Sequence, residues 1–222
     1  MVFSYNKTLI MCIMNIYNRL KNKLKCIYYK LRYGKNLYYK YIVVNDIRVD
    51  DQGCNNIIEI GNHSEICNCE FKFYGSNNRI IIGSRTKLSG VTFWIGENEN
   101  LISIGNDCWF FGGELAACEG TSIKIGNNNL FSHSLLMRTT DSHSIIDNKG
   151  KRINKAQNIL IGNHVWIGVQ VMVLKGSTIL DNCVVGARSL VTSSTTLKSS
   201  SVILGSPAKV VKDNINWDID RI

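Results

Sequence analysis

The sequence predicts an all-β fold built as a parallel β-helix and preceded by an amphipathic α-helix. Three observations support this prediction: a six-residue repeat of aliphatic residues, a looser Ile-Gly repeat upstream of it, and a basic segment with helical spacing. A period of six fits neither an α-helix nor the alternation of an ordinary strand. It fits a triangular coil in which each of three sides uses one hexad.

The strict repeat covers residues 161–203 and places a branched aliphatic residue at every sixth position. These residues are Ile161, Ile167, Val173, Ile179, Val185, Val191, Leu197 and Ile203. Gly and Asn are frequent throughout the chain, and both residues tolerate the left-handed backbone angles of tight corners. We therefore expect residues 161–203 to form a regular wall of short coils.

The looser repeat consists of Ile-Gly pairs whose glycines, Gly61, Gly83, Gly105 and Gly126, are spaced by 22, 22 and 21 residues. We expect coils with extra residues that bulge at 69–74, 93–98 and 112–119. Aromatic residues collect in these stretches, either as core filling or as a surface for an acceptor, with Trp109 a substrate-binding candidate. The 36 residues from Ile125 to Ile161 equal two coils of eighteen, and a polar loop is expected to project near 141–156.

The net charge of +9 is concentrated at the N-terminus: residues 1–45 hold nine Lys or Arg and no acidic residue, whereas the remainder is neutral. Three regions follow, a basic helical segment (1–45), a β-helix domain (46–212) and a C-terminal tail (213–222). A neutral domain argues against nucleic acid as a partner. Residues 8–33 have amphipathic helical spacing, which fits either a cap on the β-helix or a helix lying on an anionic membrane.

The chain shows no apolar run long enough to span a bilayer and no secretory signal. Its eight cysteines include no CxxC pair, which favours reduced, buried thiols and no metal centre. We expect a cytoplasmic protein, with peripheral contact at the inner face of the cytoplasmic membrane if the basic helix lies on lipid.

His143 is the principal candidate for chemistry, because histidine is the natural general base near neutral pH. In an extended segment Asp141 would point to the same side and could orient the imidazole. Arg138, Lys151 and Arg152 could receive an acidic substrate. From spacing alone, a purely structural role for His143 stays open.

Three motifs in order resemble the hexapeptide-repeat acyltransferases, and within them the bacterial capsule and O-antigen polysaccharide O-acetyltransferases. They are Ser142-His143 followed by Gly150-Lys151-Arg152, then Ile161-Gly162-Asn163-His164-Val165-Trp166-Ile167-Gly168, then Gly186-Ala187-Arg188-Ser189-Leu190-Val191 with a terminal Gly205-Ser206-Pro207-Ala208-Lys209. The resemblance covers residues 55–212 as a fold and 137–212 as motifs.

The resemblance implies a left-handed β-helix, a homotrimer with active sites between subunits, acetyl-CoA as the acyl donor and a sugar acceptor. His143 corresponds to the catalytic base of the family, and Trp166 to a tryptophan near the thioester. Residues expected to contact the cofactor on this basis are Trp166, Gly168, Gly186, Ala187, Thr192, Pro207 and Lys209, and Lys175 is a further phosphate candidate from its charge alone. For Trp166, the alternative is a corner aromatic that shields the core.

Other functions remain as competitors of O-acetylation. N-acetylation of an amino sugar, free or nucleotide-linked, would use the same base and donor. A zinc β-helix enzyme would need three converging histidines, and a non-catalytic β-helix would only assemble with partners. The expectation is an O-acetyltransferase without a metal.

Overall fold

The computed structural model describes residues 37–38, 43–195 and 198–221, and these residues form strands and turns without a helix. The predicted helix over residues 8–33 and the hexad residue Leu197 lie outside them. Within the described residues, no helix has the length and apolar composition needed to cross a membrane.

The strands are short and follow one another at the spacing of the repeat. In chain order they are β1 (Leu37–Tyr38), β2 (Val43–Asp51), β3 (Ile57–Ile60), β4 (Glu65–Phe73), β5 (Arg79–Ile82), β6 (Lys87–Ser89), β7 (Val91–Ile95), β8 (Leu101–Ile104), β9 (Trp109–Phe110), β10 (Gly113–Ala117), β11 (Ser122–Ile125), β12 (Leu130–Phe131), β13 (Leu135–Arg138), β14 (Ile159–Ile161), β15 (Trp166–Ile167), β16 (Met172–Leu174), β17 (Thr178–Ile179), β18 (Val184–Val185), β19 (Leu190–Val191), β20 (Val202–Gly205) and β21 (Ala208–Lys212).

These strands form three faces of a parallel β-helix, which confirms the all-β solenoid predicted from the hexads. The first face is a seven-stranded sheet in the order β1-β3-β5-β8-β11-β14-β17. The second face runs β6-β9-β12-β15-β18-β20, and the third runs β7-β10-β13-β16-β19. Strand β4 joins them, because its first residues pair with β6 and its last residues pair with β7. Between the strands named above, every pairing is parallel except the terminal β20–β21 hairpin.

The core is a continuous apolar column inside the three faces. Alternation places one residue of each pair inward: Ile167 is fully buried, whereas its neighbour Trp166 is 39% exposed. In the N-terminal coils the inward positions include Phe71, Phe93 and Phe110, all of them buried. Most aromatics of the predicted bulges therefore fill the core.

The Ile-Gly-Asn repeat has a physical cause at the corner between the first and second faces. A Cβ at Gly83 would collide with the backbone of Gly105 in the next coil, so only glycine fits there. The asparagines after Gly105 and Gly126 then bind the coil before them: Asn106 Oδ1 accepts from Ser84 N–H at 2.8 Å, and Asn127 Oδ1 accepts from Asn106 N–H at 2.8 Å. The motif thus satisfies backbone donors that a corner would otherwise leave unpaired.

The extra residues of the 22-residue coils lie on the third face and in the turn after it. The strands there, β4, β7 and β10, are longer than β16 and β19 and pair in register without a bulge. The extra residues therefore lie where the sequence predicted them, but they lengthen regular strands and do not form bulges.

The prediction of two coils between Ile125 and Ile161 is wrong. These two residues are direct register partners in the adjacent strands β11 and β14, so one coil separates them. The other residues, 141–156, contain no strand and project from the corner between the third and first faces. The loop closes at its base, where Gln157 N–H donates to Thr139 O at 2.9 Å.

Candidate active site

The projecting loop is fixed to the coil before it by an ion pair. Arg152 donates to both carboxylate oxygens of Glu119 at 2.7 and 2.8 Å, and Thr140 Oγ1 donates to Glu119 at 2.7 Å. The bonds from Arg152, and then that from Thr140, lower the pKa of Glu119 to about 2. Arg152, predicted to receive an acidic substrate, is therefore engaged within the chain.

A second set of contacts fixes the loop to the coil after it. Lys175 Nζ binds the Asp141 carboxylate and donates to Asn154 O at 3.1 Å. Asn154 Nδ2 donates to Asp141 Oδ2 at 2.8 Å. The bond from Lys175 holds the pKa of Asp141 below its ordinary value, and the bond from Asn154 acts in the same direction. Asp141 is therefore an ionised anchor between the loop and Lys175, the residue that follows β16.

The buried Asn154 also holds the main chain on both sides of Ser144. Its Nδ2 donates to His143 O at 2.7 Å, and its Oδ1 accepts from Ile145 N–H at 2.7 Å. The His143 N–H donates to Asp141 O at 2.8 Å. The backbone of His143 is thus bound on both sides, while the residue is exposed to solvent.

The predicted relation between Asp141 and His143 is not the one observed. Ser142 has φ 66°, so the segment turns and the two side chains do not share one side of a strand. Among the described residues, no hydrogen bond joins the imidazole to the Asp141 carboxylate, which binds Lys175 and Asn154. Asp141 positions the loop that carries His143 and does not orient its ring.

The other predicted substrate cations are placed differently from one another. Arg138 lies on β13 and its Nε donates to Glu114 Oε1 at 3.3 Å. Lys151 is exposed in the loop, and within the described part of the chain its ammonium has no carboxylate partner. Of Arg138, Lys151 and Arg152, Lys151 alone keeps its charge available.

A second region of interest is an exposed apolar strip near the corner of the second and third faces. Trp166, Val169 and Leu204 are 39%, 41% and 41% exposed, and Ala187 is exposed beside them. We call these four residues the apolar strip. Exposed apolar residues that adjoin one another favour a binding role.

Two cations lie at the end of this strip. Lys209 on β21 is exposed, and Arg188 donates only to the neutral Gln170, with Nε at 2.9 Å from Oε1. Neither forms an ion pair with a described residue. Arg188 was missed from sequence, although its place next to Ala187 in the quoted motif was a usable signal.

The remaining cofactor candidates have structural reasons of their own. A Cβ at Gly168 would lie 2.7 Å from Ala187 N, so coil packing alone requires that glycine, whereas a Cβ at Gly186 would meet the Cδ2 end of the exposed Leu204 side chain, which can move aside. Thr192 Oγ1 lies 2.8 Å from Ser194 Oγ within a turn. Pro207 lies in the turn between β20 and β21, close in sequence to Lys209.

The structure separates residues that the sequence grouped together. Lys175 lies with Asp141 under the loop, at the corner of the third and first faces, whereas Pro207 and Lys209 lie at the end of the second face. A side of six residues at about 3.3 Å per residue places adjacent corners roughly 15–20 Å apart. His143 and the apolar strip of one chain therefore lie at different corners.

Trp109 lies on the second face, on β9, with Leu130 of β12 between it and Trp166 of β15. The outward-facing residues of this face thus form a row, in which the half-buried Trp109 and the exposed Trp166 are separated by the half-buried Leu130. Within residues 37–38, 43–195 and 198–221, no three His, Cys, Asp or Glu side chains converge as a ligand set.

A known protein family matches the segment in which the six-residue repeat is strict. Residues 158–193 match the family described as bacterial transferase hexapeptide (six repeats). This segment contains the narrow coils from β14 to β19. The predicted resemblance to the hexapeptide-repeat acyltransferases is thereby confirmed.

Two curated relatives carry the same name. The chain is 35% identical over 137 residues to a polysialic acid O-acetyltransferase of Neisseria meningitidis, which covers 56% of this chain and 58% of that protein. It is 32% identical over 97 residues to a polysialic acid O-acetyltransferase of Escherichia coli O1:K1 / APEC, covering 43% of this chain and 31% of that protein. The matched part thus spans less than two thirds of either relative.

Two solved structures share the fold. The polysialic acid O-acetyltransferase OatWY superposes with a TM-score of 0.71 at 28% identity, covering 83% of this chain and 93% of that one. The polySia-specific acetyltransferase NeuO gives a TM-score of 0.63 at 26% identity, covering 79% and 83%.

Proposed function

We propose that this protein is an acetyl-CoA-dependent O-acetyltransferase that acts on a sugar hydroxyl of a bacterial surface polysaccharide, with His143 as the general base. The observation that carries the proposal is the loop: its backbone is bound on both sides of His143, while the residue is exposed. A fixed backbone with an accessible imidazole is what proton transfer to an incoming substrate requires. The acetyltransferase names of the similar proteins support the same reaction class.

In the proposed reaction His143 removes the proton from an acceptor hydroxyl as that oxygen attacks the thioester carbon. The new ester bond forms, the carbon–sulfur bond breaks, and the departing thiolate takes the proton from the imidazolium. Asp141, Lys175 and Asn154 do not touch the reacting atoms. They hold the loop so that the imidazole meets the hydroxyl at the required distance.

The apolar strip fits the acyl donor. A pantetheine arm is largely apolar with two amides, which suits the surface from Trp166 to Leu204. The donor's phosphates would meet Lys209 and Arg188, neither of which is neutralised by a described carboxylate. Lys175, by contrast, is neutralised by Asp141, which favours a positioning role for this lysine over phosphate binding.

The site is proposed to form between two copies of the chain, as the family resemblance implies. Within one chain His143 and the apolar strip lie at different corners of the prism, so a neighbouring copy would bring its own strip to this loop. A left-handed coil and a homotrimer are part of the proposal. So is action in the cytoplasm, with residues 1–45 in contact with the inner face of the membrane.

An acetyl-transfer assay against a panel of bacterial polysaccharides and oligosaccharides tests the proposal. Product would gain the mass of one acetyl group, and hydroxylamine would remove it, because it cleaves esters and leaves amides. An acetyl group that resists hydroxylamine would show N-acetylation and contradict the O-acetyltransferase.

The variant His143→Gln is expected to lose about 10²- to 10⁴-fold in rate, the usual contribution of a general base. The matched control is His63→Asn, at an exposed histidine of an N-terminal coil whose φ of 61° asparagine tolerates. Activity within a few-fold of wild type in His143→Gln would show that His143 is not the general base.

A further inference from the structure

Trp109 stands between two clefts on the second face. One cleft, of about 330 Å³, is lined by Glu65, Cys67, Lys87, Leu88, Ser89, Phe110 and Phe111 together with Trp109. The other, of about 320 Å³, lies on the other side of the same indole and includes Leu130, His164 and Trp217. Each volume is at the lower end of the roughly 300–1,000 Å³ typical of small-molecule sites.

The far wall of the second cleft is supplied by the C-terminal segment. Trp217 stacks on His164 with ring centroids 4.3 Å apart and an interplanar angle of 9°, and its Nε1–H donates to His164 O at 2.8 Å. Its ring also lies 6.1 Å from that of Trp166. The segment is fastened further along by Ile215 N–H, which donates to Ser200 O at 3.0 Å. These contacts fix the Trp217 side chain in place as one wall of the second cleft.

The chemistry of the two clefts suits a sugar. A pyranose has apolar C–H faces and a rim of hydroxyls, so it is bound by aromatic rings flanked by a few polar groups. In the second cleft Trp109 and Trp217 supply the rings, whereas in the first cleft Lys87 lies over the Trp109 ring and the exposed Phe111 supplies the apolar surface. Asn128 and Asp218 supply polar groups at the edge of the second cleft, and the amide of Asn128 has no partner among the described side chains.

The charges of this groove do not favour an anionic sugar. The lining of the second cleft contains no Lys or Arg, and its two carboxylates are Asp107 and Asp218. Arg85 donates to both oxygens of Asp107 at 2.7 and 2.6 Å, which neutralises that acid. In the first cleft Lys87 faces Glu65 at 3.4 Å and covers the Trp109 ring at 5.3 Å from its centroid.

We propose that the groove on either side of Trp109, walled by Trp217, binds an uncharged saccharide chain of at least two sugar units. Because the indole of Trp109 separates the two clefts, each cleft would bind one sugar unit. Trp166 lies two strands from Trp109, roughly 10 Å along the prism. The inference rests on the proposed function in one respect, because it takes the end of the chain near Trp166 as the acceptor end.

Indole N–H signals of labelled protein give a direct test, because all four tryptophans lie in the described residues. The probes are maltotriose, chitotriose and a trimer of sialic acid, each at millimolar concentration. At least one neutral trisaccharide is expected to shift the signals of Trp109 and Trp217. The signal of Trp94, on the third face and 5.3 Å from the Tyr74 ring, serves as the internal reference.

Trp109→Ala is expected to abolish the shift at Trp217, whereas Trp94→Phe keeps it. The proposal is overturned if neither neutral probe moves Trp109 and Trp217, or if the sialic acid trimer moves them as strongly as the neutral probes. His143→Gln separates the two hypotheses, since it should bind the trisaccharide normally while it fails to transfer acetyl groups. Binding without transfer by the wild-type protein would contradict the proposed function and leave the groove standing.

Discussion

Two consecutive stretches of eighteen residues differ in structure: residues 140–157 form the projecting loop, whereas residues 158–175 form a coil of the β-helix. The second forms a complete coil, with Ile161, Ile167 and Val173 at the inward hexad positions, all of them buried. In the first stretch, the residues that occupy the same hexad positions are His143, Lys149 and Lys155, and all three are exposed. A multiple of eighteen residues therefore does not make a coil unless its inward positions are apolar.

The two stretches are also held in place by different forces. Burial of a large aliphatic side chain contributes about 1.5–3 kcal/mol, so a coil with three of them is stabilised by its own core. The loop lacks such residues and depends on polar contacts with Glu119 of the coil before it and Lys175 of the coil after it. Such contacts contribute about 1 kcal/mol each, enough to orient a loop without making it part of the core.

The largest difference between the two stretches should appear in stability. Ile167→Ala is expected to lower the free energy of unfolding by about 2–5 kcal/mol, because it opens a cavity in the core. Ile153→Ala, at a loop residue that is 62% exposed, should change it by no more than about 0.5 kcal/mol. Denaturant unfolding of both variants measures the difference, and equal losses would mean that the loop is part of the core.

A smaller effect is expected from the contact beneath His143. Lys175→Met leaves Asp141 without its cation, so the His143 backbone should shift and kcat should fall by about 10- to 100-fold. Lys155→Met, at an exposed lysine of the same loop, is the control and should stay near wild type.

Steady-state kinetics with acetyl-CoA separates positioning from phosphate binding for Lys175. A positioning residue lowers kcat and leaves the KM for acetyl-CoA nearly unchanged. A rise in that KM with kcat preserved would instead restore Lys175 to the donor site.

The smallest effect concerns pH and the Arg152–Glu119 pair. The pKa of Glu119 in the folded protein is about 2, below its ordinary 4.5. The stabilisation of the fold by the ionised Glu119 is therefore fully present above pH 4.5 and is lost as the pH falls toward 2. The thermal midpoint of the wild type should exceed that of Glu119→Gln by a small, constant amount above pH 4.5. The difference should shrink below that pH, and a difference that persists near pH 2 would show that the ion pair is not its source.

Much of the fold followed from the sequence because the inward hexad positions and the Gly-Asn corners depend on local spacing. The loop was located for the same reason, since polar residues interrupt the frame there. The number of coils was wrong because spacing alone does not distinguish a coil from an insertion of equal length.

The site was only partly predictable because its contacts join distant residues. Arg152 pairs with Glu119, 33 positions earlier, and Trp217 binds His164, 53 positions earlier. Nothing in local spacing indicates either contact. Asp141 was assigned to the His143 ring on the assumption of an extended segment, which the positive φ of Ser142 breaks.

The proposed active site is formed by the loop of one copy and the apolar strip of another. His143→Gln removes the general base, and Ala187→Trp blocks the apolar strip. Because both residues are exposed, both variants should keep the wild-type melting temperature. When the two inactive variants are co-expressed and assemble at random, a shared site predicts about one quarter of wild-type activity, since one pairing in four unites an intact loop with an intact strip. Activity no higher than that of either variant alone would contradict a site shared between two copies.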